Sequence, residues 1–322
     1  MFDLLIRNAQ VLDGTGAPAY LADVAVKDGK IAAVGKLSGE AAETVDAAGL
    51  TLAPGFIDVH GHSDFFMPLD PARASKLLQG VTTELCGQCG LGPAPVTEQN
   101  YPVYHKYLSQ QGIPMYPDDR TFTSFSAYLS RMEQTPAGIN LAYFIPHGTV
   151  RLAVMGFSHD VPDDRQLAQM RELVEDAMQA GALGLSTGLA YAPGRFAATD
   201  ELAALTEPVG RYGGVYTSHL RDQGDQLEQS VQEAIDIARR GGARVNVSHH
   251  KAVGEQNFGK VRKTTQMLHE AGIPATHDVY PYAASSTMLI STLPMAFAQL
   301  EPQALLQALA DPGELARLAS LL

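Results

Sequence analysis

The sequence contains few cysteines and few basic residues, and each scarcity excludes classes of protein. Only Cys86 and Cys89 occur among 322 residues, which is too few for a disulfide framework and is compatible with a reducing compartment. Lys and Arg number 23 against 35 Asp and Glu, for a net charge of -12. Because no basic stripe is present, we expect neither a nucleic-acid partner nor binding to an anionic membrane.

Long apolar runs are also missing. The N-terminal stretch MFDLLIRNAQVLDG carries charged residues within its apolar part, so it lacks the apolar core of a secretory signal. No later run approaches the ~18 apolar residues that a membrane-spanning helix needs. We therefore expect a soluble, cytoplasmic protein.

Residues 1–54 have the pattern of a small β module. Short segments rich in β-branched residues alternate with turn signals, and Asp13-Gly14 and Asp28-Gly29 suit hairpin turns. We expect this module to be one half of a β-sandwich that precedes the main domain.

From residue 55 to residue 290, β-rich runs alternate with helical segments. Helical segments such as DDRQLAQMRELVEDAMQAG place apolar residues at helical spacing and end on Gly. Repeated strand and helix predict an α/β fold, a parallel (β/α)8 TIM-like barrel. The predicted barrel strands, numbered 1 to 7 along the chain, are FIDVH, VTTELC, LAYFIPH, ALGLSTG, GVYTSH, RVNVSH and PATHDVY.

The predicted barrel has seven strands, whereas a closed barrel of this kind needs eight. Residues 291–322 have a helical pattern that does not lead into an eighth strand. We therefore expect residues 291–322 to be the start of a helical insertion or lid and the chain to be truncated before strand 8.

Metal-ligand side chains follow four of the predicted strands. Active sites of such barrels collect at the carboxyl ends of the strands, and imidazole and thiolate ligands suit zinc better than a hard, oxygen-seeking ion. One shared zinc site explains the coincidence. The side chains are His60 and His62 after strand 1, Cys89 after strand 2, His219 at the end of strand 5, and His249 and His250 at the end of strand 6.

The segment Cys86-Gly87-Gln88-Cys89 suggests an alternative, because C-x-x-C can be a redox pair or half of a zinc knuckle. A knuckle needs a second pair, which the sequence lacks. A thioredoxin-like redox pair has its second cysteine entering a helix, whereas the glycines and prolines after Cys89 indicate a loop. Cys86 is then a small apolar residue near the end of strand 2.

Several segments resemble one family. PGFIDVHGHSD, GVTTELCGQCG, STGLAYAPG, YTSHLR, VSHHKAVG and DVYPYAASST are similar to the amidohydrolase superfamily, and within it to the D-aminoacylase (N-acyl-D-amino-acid deacylase) family. Relatives that hydrolyse cyclic amides bridge their metals with a carboxylated lysine on strand 4, but ALGLSTG has no lysine. Cys89 stands where D-aminoacylases supply a bridging thiolate.

The resemblance implies a set of metal ligands and substrate contacts. Cys89, His219 and His249 hold one tight zinc, while His60 and His62 serve a second, weaker metal position. His250 falls where family members vary. The positions that match substrate contacts are Tyr191 and Lys251, with Tyr282 and Ser286 near the substrate α-carboxylate.

The implied reaction is hydrolysis of the amide bond of an N-acyl-D-amino acid, a small-molecule partner, to a D-amino acid and a carboxylate. Alternatives are another amidohydrolase acting on cyclic amides or dipeptides, and a truncated, non-catalytic zinc-binding remnant. In the family, an aspartate that ends strand 8 moves the protons, so the catalytic residue is unassigned and we expect low activity. Asp278 on strand 7 is a tempting substitute base, but the family gives it no such role. Nothing in the sequence indicates an oligomeric state.

Overall fold

The computed structural model describes residues 1–66, 74–110, 122–282, 284–287, 289–298, 300 and 302–321. The strands are β1 (Phe2–Val11), β2 (Tyr20–Lys27), β3 (Lys30–Gly35), β4 (Ala41–Asp46), β5 (Thr51–Leu52), β6 (Phe56–Asp58), β7 (Val81–Cys86), β8 (Asn140–Tyr143), β9 (Ile145–Pro146), β10 (Gly184–Gly188), β11 (Val215–His219), β12 (Arg244–Val247) and β13 (Ala275–His277). The helices are α1 (Ala74–Leu77), α2 (Tyr101–Gln110), α3 (Phe125–Glu133), α4 (His147–Met155), α5 (Asp164–Gln179), α6 (Thr199–Arg211), α7 (Leu227–Gly241), α8 (Lys260–His269), α9 (Met295–Ala298), α10 (Pro302–Ala310) and α11 (Pro312–Leu321).

The first of two units, Met1–Phe56, is a five-stranded sheet. β2 pairs antiparallel with β1 and with β3, whereas β4 and β5 run parallel to β1. Its small core contains alanine and valine from β1 and β2. Asp28 and Gly29 both have positive φ, 52° and 69°, as a two-residue type I′ hairpin requires.

The prediction of a tight hairpin turn at Asp13-Gly14 is wrong in detail. β1 and β2 do pair antiparallel, but residues 12–19 form the connection between them. The Asp13 carboxylate accepts hydrogen bonds from the Thr15 N–H (3.0 Å) and hydroxyl (2.7 Å). This local bonding stabilises a longer loop in which Asp13-Gly14 is only the first bend.

The second unit, Ile57–Leu322, contains strands at all seven predicted barrel positions. β9 to β13 form one sheet in chain order with parallel pairing. β6, β7 and β8 form a second sheet, in which β7 and β8 are parallel. Predicted strand 3 is divided between β8 and β9 at Phe144, whose N–H donates to the Cys86 carbonyl (3.0 Å). The predicted α/β class is confirmed.

Amphipathic helices between the strands bury the sheet. The strand residues Ile145, Leu185, Tyr216 and Val247 are fully buried, as expected for parallel strands covered on both faces. α5 begins with a capping box at Asp163, and α7 ends at Gly242 in the left-handed conformation. Most of the described residues in 291–321 belong to a short 3-10 turn or to α9, α10 and α11. None of the helices in the described ranges is long and apolar enough to cross a bilayer.

Candidate metal centre

The structure brings the five predicted metal ligands together at the carboxyl ends of the strands. Their ligand atoms form two groups, each within 4.8 Å, and Cys89 belongs to both groups. We call these five residues the ligand cluster. The first group is His60, His62 and Cys89, and the second is Cys89, His219 and His249.

Imidazole rings surround the Cys89 sulfur. The Sγ atom lies 3.3 Å from Nε2 of His60 and 3.6 Å from Nε2 of His249. The His249 ring is centred 4.4 Å from that of His219 and 5.1 Å from that of His60. One sulfur therefore faces histidines that come from three different strand ends.

The backbone is strained at two members of the cluster. Cys89 and His249 have φ values of 55° and 37°, in a region that costs a residue with a side chain about 1–3 kcal/mol. Close backbone contact holds the first of them. A Cβ on Gly188 of β10 would lie 2.1 Å from the Cys89 carbonyl oxygen, so only glycine lets the loop approach this strand. Backbone strain is thus maintained at a predicted metal ligand.

The electrostatics of the cluster suit a soft cation. Burial raises the pKa of the Cys89 thiol, but the charge of His60 and hydrogen bonds with the imidazoles hold it well below its usual value. Burial lowers the pKa of His60, but the Cys89 thiolate and Asp278 raise it to about 10. Burial lowers the pKa of His219. A buried thiolate among imidazoles is a donor set that fits zinc.

Two neighbouring residues lie outside the ligand cluster. The Nε2 of His250 lies 2.8 Å from the Thr264 hydroxyl, and burial, with the charges of His277 and Lys251, lowers its pKa to about 4. Cys86 is fully buried in the apolar core, and burial raises the pKa of its thiol. Neither environment resembles that of the ligand cluster.

The predicted substrate residues separate into two pairs. The Tyr191 ring is centred 4.6 Å from that of His219, and the Lys251 Nζ lies 3.3 Å from the His249 carbonyl oxygen. Tyr282 is 73% exposed, and Ser286 is also exposed. Among the described contacts, neither of this second pair touches a member of the ligand cluster.

Sequence reasoning missed three residues around His249. The Tyr280 ring is centred 6.3 Å from the His249 ring, with the Lys251 Nζ 5.2 Å from the Tyr280 centroid. The Gln223 side chain lies 3.2 Å from His249 Nδ1. Asn246 donates to Asp278. Asn246 could have been identified from the sequence, because an amide inside the buried strand RVNVSH needs a polar partner.

A parallel α/β unit with imidazoles around one thiolate at its strand ends has the arrangement of a metal site at the carboxyl edge of a barrel-type sheet. A sequence profile of the Amidohydrolase family matches residues 43–280. The chain therefore belongs to the amidohydrolase family.

Individual relatives show which members of the family this chain is similar to. The D-aminoacylase of Alcaligenes xylosoxydans xylosoxydans is 39% identical over 291 residues, which are 89% of this chain and 59% of that protein. The crystal structure of N-acyl-D-glutamate deacylase from Bordetella bronchiseptica, complexed with zinc and a phosphonate mimic of the tetrahedral intermediate, has a TM-score of 0.81 and 35% identity, with 91% of this chain and 62% of that chain covered. A D-aminoacylase structure with a binuclear metal centre has a TM-score of 0.83 and 37% identity, with 90% and 60% covered.

The predicted resemblance to D-aminoacylases is confirmed by these relatives. The chain spans 57–59% of the length of the curated deacylases it matches.

Proposed function

We propose that this chain carries the zinc site of an enzyme that hydrolyses N-acyl-D-amino acids to a D-amino acid and a carboxylate. The observation that carries the proposal is the Cys89 thiolate shared by two groups of imidazoles. The relatives named above support it, because they are D-aminoacylases and an N-acyl-D-glutamate deacylase.

The assignment of ligands follows the two groups. Cys89, His219 and His249 hold the tight zinc, and His60 and His62 hold a second, weaker metal position. When bound, zinc is a Lewis acid that polarises the amide carbonyl and lowers the pKa of a coordinated water.

The chain's own residues bind and orient the substrate beside this site. Lys251 is a half-buried cation next to His249, so it can pair with the substrate carboxylate. The Tyr191 hydroxyl, 3.1 Å from the Thr287 hydroxyl, can donate a hydrogen bond to a substrate oxygen. We assign Tyr282 and Ser286, both exposed, to the region of the α-carboxylate.

The test compares substitutions of the two cysteines and the two enantiomers of each substrate. The zinc-loaded chain should release amine from N-acetyl-D-methionine or N-acetyl-D-glutamate faster than from their L-forms. A phosphonate analogue of each enantiomer measures binding without any proton transfer, so it remains informative if turnover is slow. D-selective binding or turnover should disappear in Cys89→Ala and persist in Cys86→Ala. An L preference, no enantiomer preference, or full function in Cys89→Ala contradicts the proposal.

A further inference from the structure

Asp278 follows β13 beside the ligand cluster, but its carboxylate is already engaged. The side chain is buried, at 8% exposure. Its Oδ1 accepts a hydrogen bond from the His249 N–H (2.6 Å), and its Oδ2 accepts one from Asn246 Nδ2 (2.8 Å). A general base must reach the proton it removes. This carboxylate instead faces the protein on both oxygens.

The same Oδ1 atom faces His60. It lies 3.2 Å from His60 Nδ1, while His60 Nε2 lies 3.3 Å from the Cys89 sulfur. Within the described residues the buried His60 Nδ1 makes no well-aligned hydrogen bond, so its contact with Asp278 is a close approach at ion-pair distance. An imidazole that binds metal through Nε2 carries its proton on Nδ1, and a carboxylate at Nδ1 stabilises that tautomer.

Asp278 also holds the backbone of His249. The positive φ of His249, 37°, is unfavourable for histidine, so an interaction must maintain it. The charge-assisted hydrogen bond from the His249 N–H to Asp278 supplies one. In this conformation His249 Nε2 lies 3.6 Å from the Cys89 sulfur.

Neighbouring strands fix the carboxylate itself. Asn246 Nδ2, which donates to Asp278, also donates to the Thr217 hydroxyl (3.1 Å), and Asn246 Oδ1 accepts from the Thr276 hydroxyl (2.9 Å). The carboxylate is therefore anchored in one orientation.

We propose that Asp278 is a positioning residue that aligns His60 through its side chain and His249 through its backbone, and so serves both candidate metal positions at once. This inference rests on the zinc assignment of the proposed function. Asp278 acts through the histidines and does not touch substrate.

The test is zinc affinity, measured by competition with a chromophoric chelator for the first and the second equivalent separately. Asp278→Asn should weaken both equivalents, each by about 10- to 100-fold, the usual effect of losing an outer-shell partner. His62→Ala should weaken the second equivalent alone. Asn246→Ala keeps the Asp278 carboxylate but removes its anchor, and it should lower affinity in the same direction by a smaller factor.

Asp23 provides a matched control in the first unit. It is also buried, at 9% exposure, and it accepts backbone N–H groups on both oxygens, from Asn8 (2.9 Å) and Leu37 (3.1 Å). Asp23→Asn should leave zinc affinity unchanged. In long-range ¹H–¹⁵N spectra of the zinc-loaded protein, His60 should carry its proton on Nδ1, and this signal should weaken in Asp278→Asn.

Two results overturn the inference. One is zinc affinity in Asp278→Asn within threefold of the parent. The other is an affinity loss matched by an equal loss of stability in the metal-free protein, which would give Asp278 a purely structural role. Either result leaves D-selective binding or turnover of the parent untouched, so failure of this inference is distinct from failure of the proposed function.

Discussion

Glu201 of α6 is at the centre of a fully enclosed ion cluster, and its removal should strongly destabilise the second unit. Its Oε1 accepts hydrogen bonds from His147 Nε2 (3.0 Å) and Arg151 Nε (3.1 Å), and both partners are completely buried. The Arg151 guanidinium also donates to the carbonyl oxygens of Ser158 (2.6 Å) and Asp160 (2.8 Å). Those carbonyls solvate the cation but do not neutralise it.

The magnitude follows from what remains after substitution. Glu201→Ala leaves the Arg151 charge buried without its carboxylate, which typically costs about 3–5 kcal/mol in the free energy of unfolding. Glu201→Gln keeps one oxygen for Arg151 and loses only the charge, so about 1.5–3 kcal/mol is expected. Glu207→Ala on the same helix is the control. It removes an exposed pair with Arg171, which contributes at most about 1 kcal/mol.

The assay is denaturant unfolding followed by far-ultraviolet circular dichroism, which reports the second unit because all described helices lie there. Burial raises the pKa of Glu201, but His147 and Arg151 hold it below its ordinary value of 4.5. A lowered pKa makes the stabilisation complete above about pH 4.5 and lost as the pH falls through the folded-state value. The difference in the free energy of unfolding between the parent and Glu201→Gln should therefore become smaller in acid. A cost of Glu201→Ala no larger than that of Glu207→Ala would refute the reasoning.

Three further predictions concern the metal centre. Cys89→Ala should lose most bound zinc in metal analysis, whereas Cys86→Ala should keep it; equal retention would contradict the ligand assignment. Adding a strong chelator should lower the melting temperature of the parent but not of Cys89→Ala, because metal bound only to the folded state stabilises it. Gly90 and Gly272 both have a φ of 70°. A Cβ added to Gly90 would lie 2.7 Å from the Gly188 nitrogen, whereas a Cβ added to Gly272 would meet no atom within 4 Å. Gly90→Ala should thus be the more destabilising in thermal melts, and equal costs would show that the loop can shift.

The polar residues at the strand ends can be predicted from the sequence, because their positions depend on the residues next to them in the chain. Alternation along FIDVH predicts that His60 and His62 lie on one side, and they do come together although β6 ends at Asp58, before both histidines. A cysteine before a glycine-rich loop marks a bend. The structure brings these residues to the same rim as His219 and His249. Their roles as ligands stay predictions until metal is measured.

Contacts beyond the strand ends are harder to predict, because irregular backbone follows β13. In the segment YPY, alternation does not decide whether Tyr280 or Tyr282 faces the site, and it is Tyr280 that lies near His249. Asp278 is visible in the sequence, but its two oxygens are engaged by residues about 30 positions away. Such pairings depend on strand register, which a single sequence does not contain.

The sharing of one sulfur between two groups of imidazoles also restricts how this centre can diverge. A substitution of His60 or His62 alters one group of ligands and leaves the other complete, so variation there can be selected separately. A substitution of Cys89 alters both groups at once. In the proposed two-metal assignment, a change at His60 or His62 therefore weakens the second metal position alone, whereas loss of the Cys89 sulfur has to be compensated in both groups of ligands.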